Sequence, residues 1–143
     1  MKIYFAASIR AGREKVTDYK KITDHLKKYG TVLTEHVADK KLTSYGSKGP
    51  SDTIHDNDLK MLLSADVVVA EVSVPSLGVG YEIAKAEDNN KKTLCLYMNQ
   101  EDKKLSAMID GSRKIKVVKY DKLDEALSAI DIFMGNLTPK NRK

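Results

Sequence analysis

The chain has 143 residues, 41% hydrophobic and 31% charged, a size and balance that suit one soluble globular domain and leave little room for a second core. No apolar run approaches the roughly 18 residues of a membrane span, and the apolar part of Met1–Ser8 is too short for a secretory signal, so no membrane partner is expected and the chain should stay inside the cell. The net charge of +5 comes from 25 Lys and Arg against 20 Asp and Glu; the lysines are scattered and not interleaved with aromatics, which provides no nucleic-acid motif but suits the steering of a small anion.

Lys2–Ala6 reads as a first strand, followed by Ala7, Ser8, Ile9, Arg10, Ala11 and Gly12. Small residues, a hydroxyl and an arginine at a strand's carboxyl end are what an open α/β sheet offers a ligand, which makes Ser8 and Arg10 site candidates. Val16, Tyr19, Ile22, Leu26 and Tyr29 recur at helical steps and form one apolar stripe, on a helix that Gly30 can end. Val32 and Leu33 supply a short second strand. From Thr34 to Pro50 the periodicity stops, and glycines, serines and lysines predict a mobile loop of a length that often serves as a lid.

Ser51 or Asp52 can cap the next helix, which carries Ile54, Met61, Leu62 and Ala65 on one side. Asp58 falls inside that stripe, between Ile54 and Leu62. A carboxylate there costs free energy unless it is paired or protonated, so it has either a backbone group to cap or chemistry to perform. His55, at the stripe's edge, reads as structural. Val67–Val72 is a near-continuous apolar run, the pattern of a strand covered on both faces. Pro75, Ser76, Gly78 and Gly80 then let the backbone turn tightly, and a helix beginning near Gly78 would aim its free N–H groups at a ligand such as a phosphate. Glu82 is expected in the first turn of that helix, where the dipole favours an ionised carboxylate; it either complements the helix end or serves a site.

That helix should run to about Asn89. Thr93–Tyr97 reads as the fourth strand, and Cys95 within it, with no second cysteine for a disulfide and no metal-ligand companion, as a small core residue. Leu105–Ser112 is a short turn or helix and Ile115–Tyr120 the fifth strand. Asp121 can cap a last helix bearing Leu123, Leu127, Ile130 and Met134. Residues 1–137 are expected to form the one domain and 138–143 a flexible basic tail. Strands alternating with helices predict an α/β fold: a single-domain, doubly wound, five-stranded parallel sheet with helices on both faces and strand order 2-1-3-4-5. Ser8, Arg10, Ser76, Gly78 and Glu82 would then share one crevice at the switch point between strands 1 and 3.

YFAASIRAGR at Tyr4–Arg13, VLTEHV at Val32–Val37, HDNDL at His55–Leu59, ADVVVAEVSVPSLGVGYE at Ala65–Glu82 and LSAMI at Leu105–Ile109 together closely resemble the 2′-deoxynucleoside 5′-phosphate N-hydrolases, within the wider nucleoside 2-deoxyribosyltransferase superfamily. The resemblance runs from Met1 to about Asn136. It implies cleavage of the N-glycosidic bond of a deoxynucleoside monophosphate, no metal or other cofactor, and a homodimer. By motif it implies Glu82 as nucleophile, Asp58 as general acid, and Tyr4 and His36 near sugar and base. Ser8, Arg10, Ser76, Gly78 and, from the second subunit, Ser106 correspond to phosphate-binding positions, and Ile9, Gly12 and Met108 fall in the same substrate-binding motifs. Ala6 and Ala7 before Ser8 and the Lys-rich Asp39–Lys48 loop depart from the family pattern, and the loop bears on base preference.

Departure of a base from C1′ develops oxocarbenium character, so one carboxylate must stay ionised beneath the sugar while another group protonates the base. A helix terminus would keep Glu82 anionic, and an apolar face near that anion would keep a proton on Asp58. Three alternatives stand beside this reading: a deoxyribosyltransferase using the same carboxylates, a CMP-type ribonucleotide N-glycosidase, and a nucleotide-binding module without catalysis. The expected compartment is the cytoplasm, with the nucleus added if the source is eukaryotic.

Overall fold

The computed structural model describes residues 1–9, 15–34 and 49–137. In chain order the elements are β1 (Lys2–Ala7), α1 (Val16–Leu26), β2 (Thr31–Val32), α2 (Ser51–Ser64), β3 (Val67–Glu71), α3 (Leu77–Asp88), β4 (Lys92–Met98), α4 (Ala107–Asp110), β5 (Ile115–Tyr120) and α5 (Leu123–Leu137). The strands form one five-stranded parallel sheet ordered β2-β1-β3-β4-β5, as the alternation of elements predicts. Ala7 pairs with Glu71 and Glu71 with Leu96, so β1, β3 and β4 bring their carboxyl ends to one edge.

Alternate residues of the central strands feed two cores. Ile3, Phe5, Val69, Leu94 and Leu96 pack with Tyr19, Ile22 and Leu26 of α1 and Ile130 and Met134 of α5. Tyr4, Ala6, Val68, Ala70 and Cys95 pack on the other face with Leu62 of α2 and Val79, Ile83 and Ala86 of α3. Each fully buried branched side chain among them is worth ~1.5–3 kcal/mol of transfer free energy, so β3, buried along its whole length, anchors both layers. Burial also pushes the Cys95 thiol up to about 12, which keeps it protonated and inert.

Several boundaries differ from those expected. Helix α1 ends at Leu26, and Tyr29 follows in a turn closed by its N–H donating to the Leu26 carbonyl. Gly30 is needed for a different reason than stopping that helix: a Cβ there would lie 2.1 Å from the Met1 carbonyl oxygen. The second strand is Thr31–Val32, one residue earlier than read. Helix α2 has Pro50 at its N-cap and no side-chain cap; Asp52 instead accepts from the Thr53 N–H at 2.8 Å. Leu62 is its only buried residue: Ile54 and Asp58 border a cleft, Met61 packs part-buried at the core's edge, and the buried Ala65 is the C-cap beyond the helix. At its other end Lys91 Nζ donates to the Leu63 and Ala65 carbonyls at 2.7 and 2.9 Å, which satisfies terminal acceptors and holds α2 beside α3. Among the described residues no helix is long and apolar enough to cross a membrane. Arg10, Gly12, His36, nearly all of the loop expected over Thr34–Pro50 and the tail 138–143 lie outside the described residues.

Candidate active site

Helices α2 and α3 lie over one face of the sheet, and their facing stripes enclose a cleft of about 290 Å3. From α2 come Ser51, His55, Asp58 and Leu62, at three- and four-residue steps that put them on one side of the helix; from α3 come Gly78, Tyr81 and Glu82 by the same rule. The carboxylates expected from the sequence therefore face the same space. Tyr4, fully buried on β1, donates its phenol O–H to Glu82 Oε2.

Glu82 does not lie in the first helical turn. With Ser76 as N-cap and Leu77 as the first residue of α3, it falls in the second turn, where the helix dipole has largely faded. Burial dominates instead and pushes the Glu82 carboxyl up to about 7; the Tyr4 hydrogen bond pulls against this and the Asp58 charge adds to it. The expectation of a carboxylate held firmly anionic by its helix end is corrected accordingly. The Tyr4 phenol is driven upward by burial first and then by the Glu82 charge, so it remains a donor at any ordinary pH.

A second cleft, of about 770 Å3, opens on the other side of α3. Ser76, Gly80, Ser106 and Met108 line it, with Lys103 and Lys104. The Ser76 hydroxyl accepts from the Val79 N–H and the Ser106 hydroxyl from the Met108 N–H, both at 3.3 Å, so each serine caps the start of a helix. Leu77 and Met108 are 97% and 84% exposed. Among the described residues the single crevice expected is thus two clefts on either side of α3: Asp58, Gly78 and Glu82 line one, with Tyr4 hydrogen-bonded to Glu82 from the core, and Ser76, Ser106 and Met108 line the other. Ser8, at the end of β1, is fully buried, and its hydroxyl has no hydrogen-bond partner among the described residues. The Ile9 side chain packs against the α1 and α5 core. Among the described residues no group of three or more His, Cys, Asp or Glu could hold a metal ion.

Two features were not anticipated. Glu71, fully buried at the end of β3, accepts from the Ser73 N–H at 2.7 Å, the Ser73 hydroxyl at 3.0 Å and the Tyr120 phenol. Ser73 in turn accepts from the Met98 N–H at 2.7 Å and, through its carbonyl, from Gln100 Nε2 at 3.1 Å. This network ties the turn before α3 to the ends of β4 and β5, and a charged residue amid Val67–Val72 was its visible signal. The other feature is a bridge between α2 and α3, His55 Nε2 lying 3.0 Å from the Tyr81 hydroxyl.

The family described as nucleoside 2-deoxyribosyltransferase matches residues 3–123, most of the chain. The chain belongs to the nucleoside 2-deoxyribosyltransferase family. Relatives of this deoxyribosyltransferase-family chain include a Homo sapiens protein named 5-hydroxymethyl-dUMP N-hydrolase, 52% identical over 117 residues, 78% of this chain and 67% of that one. A Danio rerio protein of the same name is 44% identical over 141 residues, covering 96% of this chain and 99% of its own. Among solved structures, a CMP N-glycosidase from Clostridium botulinum superposes with a TM-score of 0.65 at 20% identity, over 92% of this chain and 99% of that one, a likeness of fold alone.

Proposed function

We propose that this member of the family hydrolyses the N-glycosidic bond of 2′-deoxynucleoside 5′-monophosphates, releasing free base and 2-deoxyribose 5-phosphate. The observation that carries the reading is the cleft in which Glu82, hydrogen-bonded by Tyr4, faces Asp58. Two carboxyl groups in one cleft, with a charge on Asp58 disfavouring a charge on Glu82, suit a reaction that needs one anion and one acid. Relatives at about half identity that are named N-hydrolases support the same reaction.

Ionised Glu82 attacks C1′ while Asp58 gives its proton to the departing base. The C1′–N bond breaks with its electron pair passing to the base, and a glutamyl ester of 2-deoxyribose 5-phosphate forms. Water then adds at C1′, Asp58 taking its proton, and Glu82 leaves as the carboxylate. The Tyr4 phenol donates to Glu82 in both ionised stages, which favours the attacking and the departing carboxylate alike. Its ring beside C2′ leaves little room for a ribose hydroxyl. The buried Ser8 hydroxyl, without a hydrogen-bond partner among the described residues, and the helix-capping Ser76 suit the phosphate, with Arg10 and Gly12; His36 would meet the base.

The working unit in this reading is a homodimer. Ser76 is the N-cap of α3 itself, whereas Ser106 caps α4 on the side of α3 away from the carboxylate cleft, so a Ser106 that touches phosphate there comes from a second copy, and the exposed Leu77 and Met108 provide apolar surface for that copy to cover. No cofactor takes part. The reading puts the enzyme in the cytoplasm, and in the nucleus too if the source is eukaryotic, where a lone buried thiol stays reduced.

The test is incubation with each deoxynucleoside and ribonucleoside monophosphate and with 5-hydroxymethyl-dUMP, with free base and sugar phosphate followed in the presence and absence of a second free base. Base and 2-deoxyribose 5-phosphate in equal amounts, independent of the added base, are expected. Transfer of the sugar to the added base, with no sugar phosphate, would identify a deoxyribosyltransferase instead.

A further inference from the structure

The carboxylate cleft has an aromatic rim to which the reaction above assigns no task. Tyr81 precedes Glu82 on α3, His55 lies one turn before Asp58 on α2, and both line the cleft. Their rings meet edge to face, 5.7 Å between centres. His55 Nε2 is 3.0 Å from the Tyr81 hydroxyl, and on its other side His55 Nδ1 is 2.9 Å from Asp56 Oδ1. A carboxylate can only accept, so it fixes the proton of the neutral imidazole on Nδ1 and leaves Nε2 as an acceptor. The Tyr81 proton is thereby committed to His55. What the hydroxyl still offers a ligand is its oxygen, as an acceptor. Lys85 Nζ, 5.4 Å from the centre of the Tyr81 ring, steadies the phenol by a cation–π contact. The ring is 49% exposed and so open to a ligand.

The position of this acceptor relates it to the leaving base. In the N-hydrolase reading, on which this inference rests, the sugar sits at Glu82 above Tyr4 and the base lies against the α2 wall, where Asp58 protonates one of its edges. The three residues from Asp58 back to His55 rise about 4.5 Å along α2, on the order of the width of a pyrimidine ring. A wall that meets one edge of a pyrimidine with Asp58 therefore carries the His55–Tyr81 pair at the opposite edge, where a 5-substituent projects. We infer that Tyr81, its proton held by the Asp56–His55 pair, reads the leaving base by accepting a hydrogen bond from a donor on that substituent. The hydroxyl of a 5-hydroxymethyl group is such a donor, and the methyl of thymine is not.

The two nucleotides 5-hydroxymethyl-dUMP and dTMP differ by one oxygen, so their ratio of kcat/KM isolates this contact. Wild type should favour 5-hydroxymethyl-dUMP, and Tyr81→Phe, which keeps the ring and loses the hydroxyl, should lower the ratio about tenfold, the worth of one hydrogen bond. Inhibition by 2-deoxyribose 5-phosphate, which has no base, should stay within about twofold, a readout that a merely disordered cleft would move. An unchanged ratio in Tyr81→Phe, no preference in wild type, or equal weakening of the baseless inhibitor would each overturn the inference while leaving the hydrolytic reading intact. Absence of base release from every nucleotide would instead remove the hydrolytic reading, and this inference with it.

Discussion

Tyr4→Phe removes a hydroxyl that donates to Glu82 and leaves the ring in the core, so it alters the nucleophile with little change in packing. The Glu82 carboxyl is pushed up to about 7 with that bond in place, and the bond favours the ionised form. The sign follows directly. A nucleophile must be ionised, so kcat/KM falls as pH drops through the Glu82 pKa; without the donor the pKa rises further and the acid limb moves to higher pH. A hydrogen bond to a charged group is worth roughly 1.5–3 kcal/mol, and at about 1.36 kcal/mol per pH unit this is a displacement of roughly one to two units. The limb should therefore move from near neutrality into the mildly alkaline range, with activity at neutral pH down about ten- to a hundredfold. Initial rates of base release at low substrate, measured across pH for both proteins, give the two limbs. In the same variant the space vacated near C2′ should raise kcat/KM for a ribonucleotide relative to its deoxy counterpart. An acid limb that stays put or moves to lower pH would refute the idea that Tyr4 poises Glu82.

Asp58→Asn should slow natural substrates on the order of a hundredfold or more, the usual worth of a positioned acid, and a chemically activated leaving base much less. Equal slowing of both would take the acid's role from Asp58, and steady-state rates with the paired substrates decide it. Mixing Ser106→Ala chains with Glu82→Ala chains should restore part of the activity, because some mixed sites contain both native residues. No recovery, with subunit exchange demonstrated by native mass spectrometry, would count against a site shared between copies.

The sheet was legible because β-branched runs such as Val67–Val69 admit little besides a buried parallel strand, and the helical spacing of Val16, Tyr19, Ile22 and Leu26 fixes which face of α1 meets it. The carboxylate pair was legible for a related reason: Asp58 in an apolar stripe is costly unless the stripe borders a cleft, and it does. The division into two clefts was not, since which residues of Ser76–Glu82 face α2 depends on where α3 begins, and a shift of one residue turns the helix by more than a quarter of a circle. The same shift took Glu82 out of the first turn and let burial rather than the dipole set its protonation. Glu71 was passed over because neighbouring valines dominate the pattern, and its partners Ser73 and Tyr120 come from a turn and a distant strand. The His55–Tyr81 bridge depends on the packing of α2 against α3, which no periodicity along one helix encodes.

The hydrolytic role of Glu82 is tested most directly by comparing wild type with Glu82→Ala on a deoxynucleoside monophosphate, with free base and 2-deoxyribose 5-phosphate quantified and nucleotide affinity measured by calorimetry on the same preparations. Wild type should release both products in equal amounts, while Glu82→Ala should release neither above background and still bind nucleotide within about tenfold, because the lost interaction matters mainly in the transition state. Base release by Glu82→Ala at the wild-type rate would contradict the assignment of Glu82 as the nucleophile.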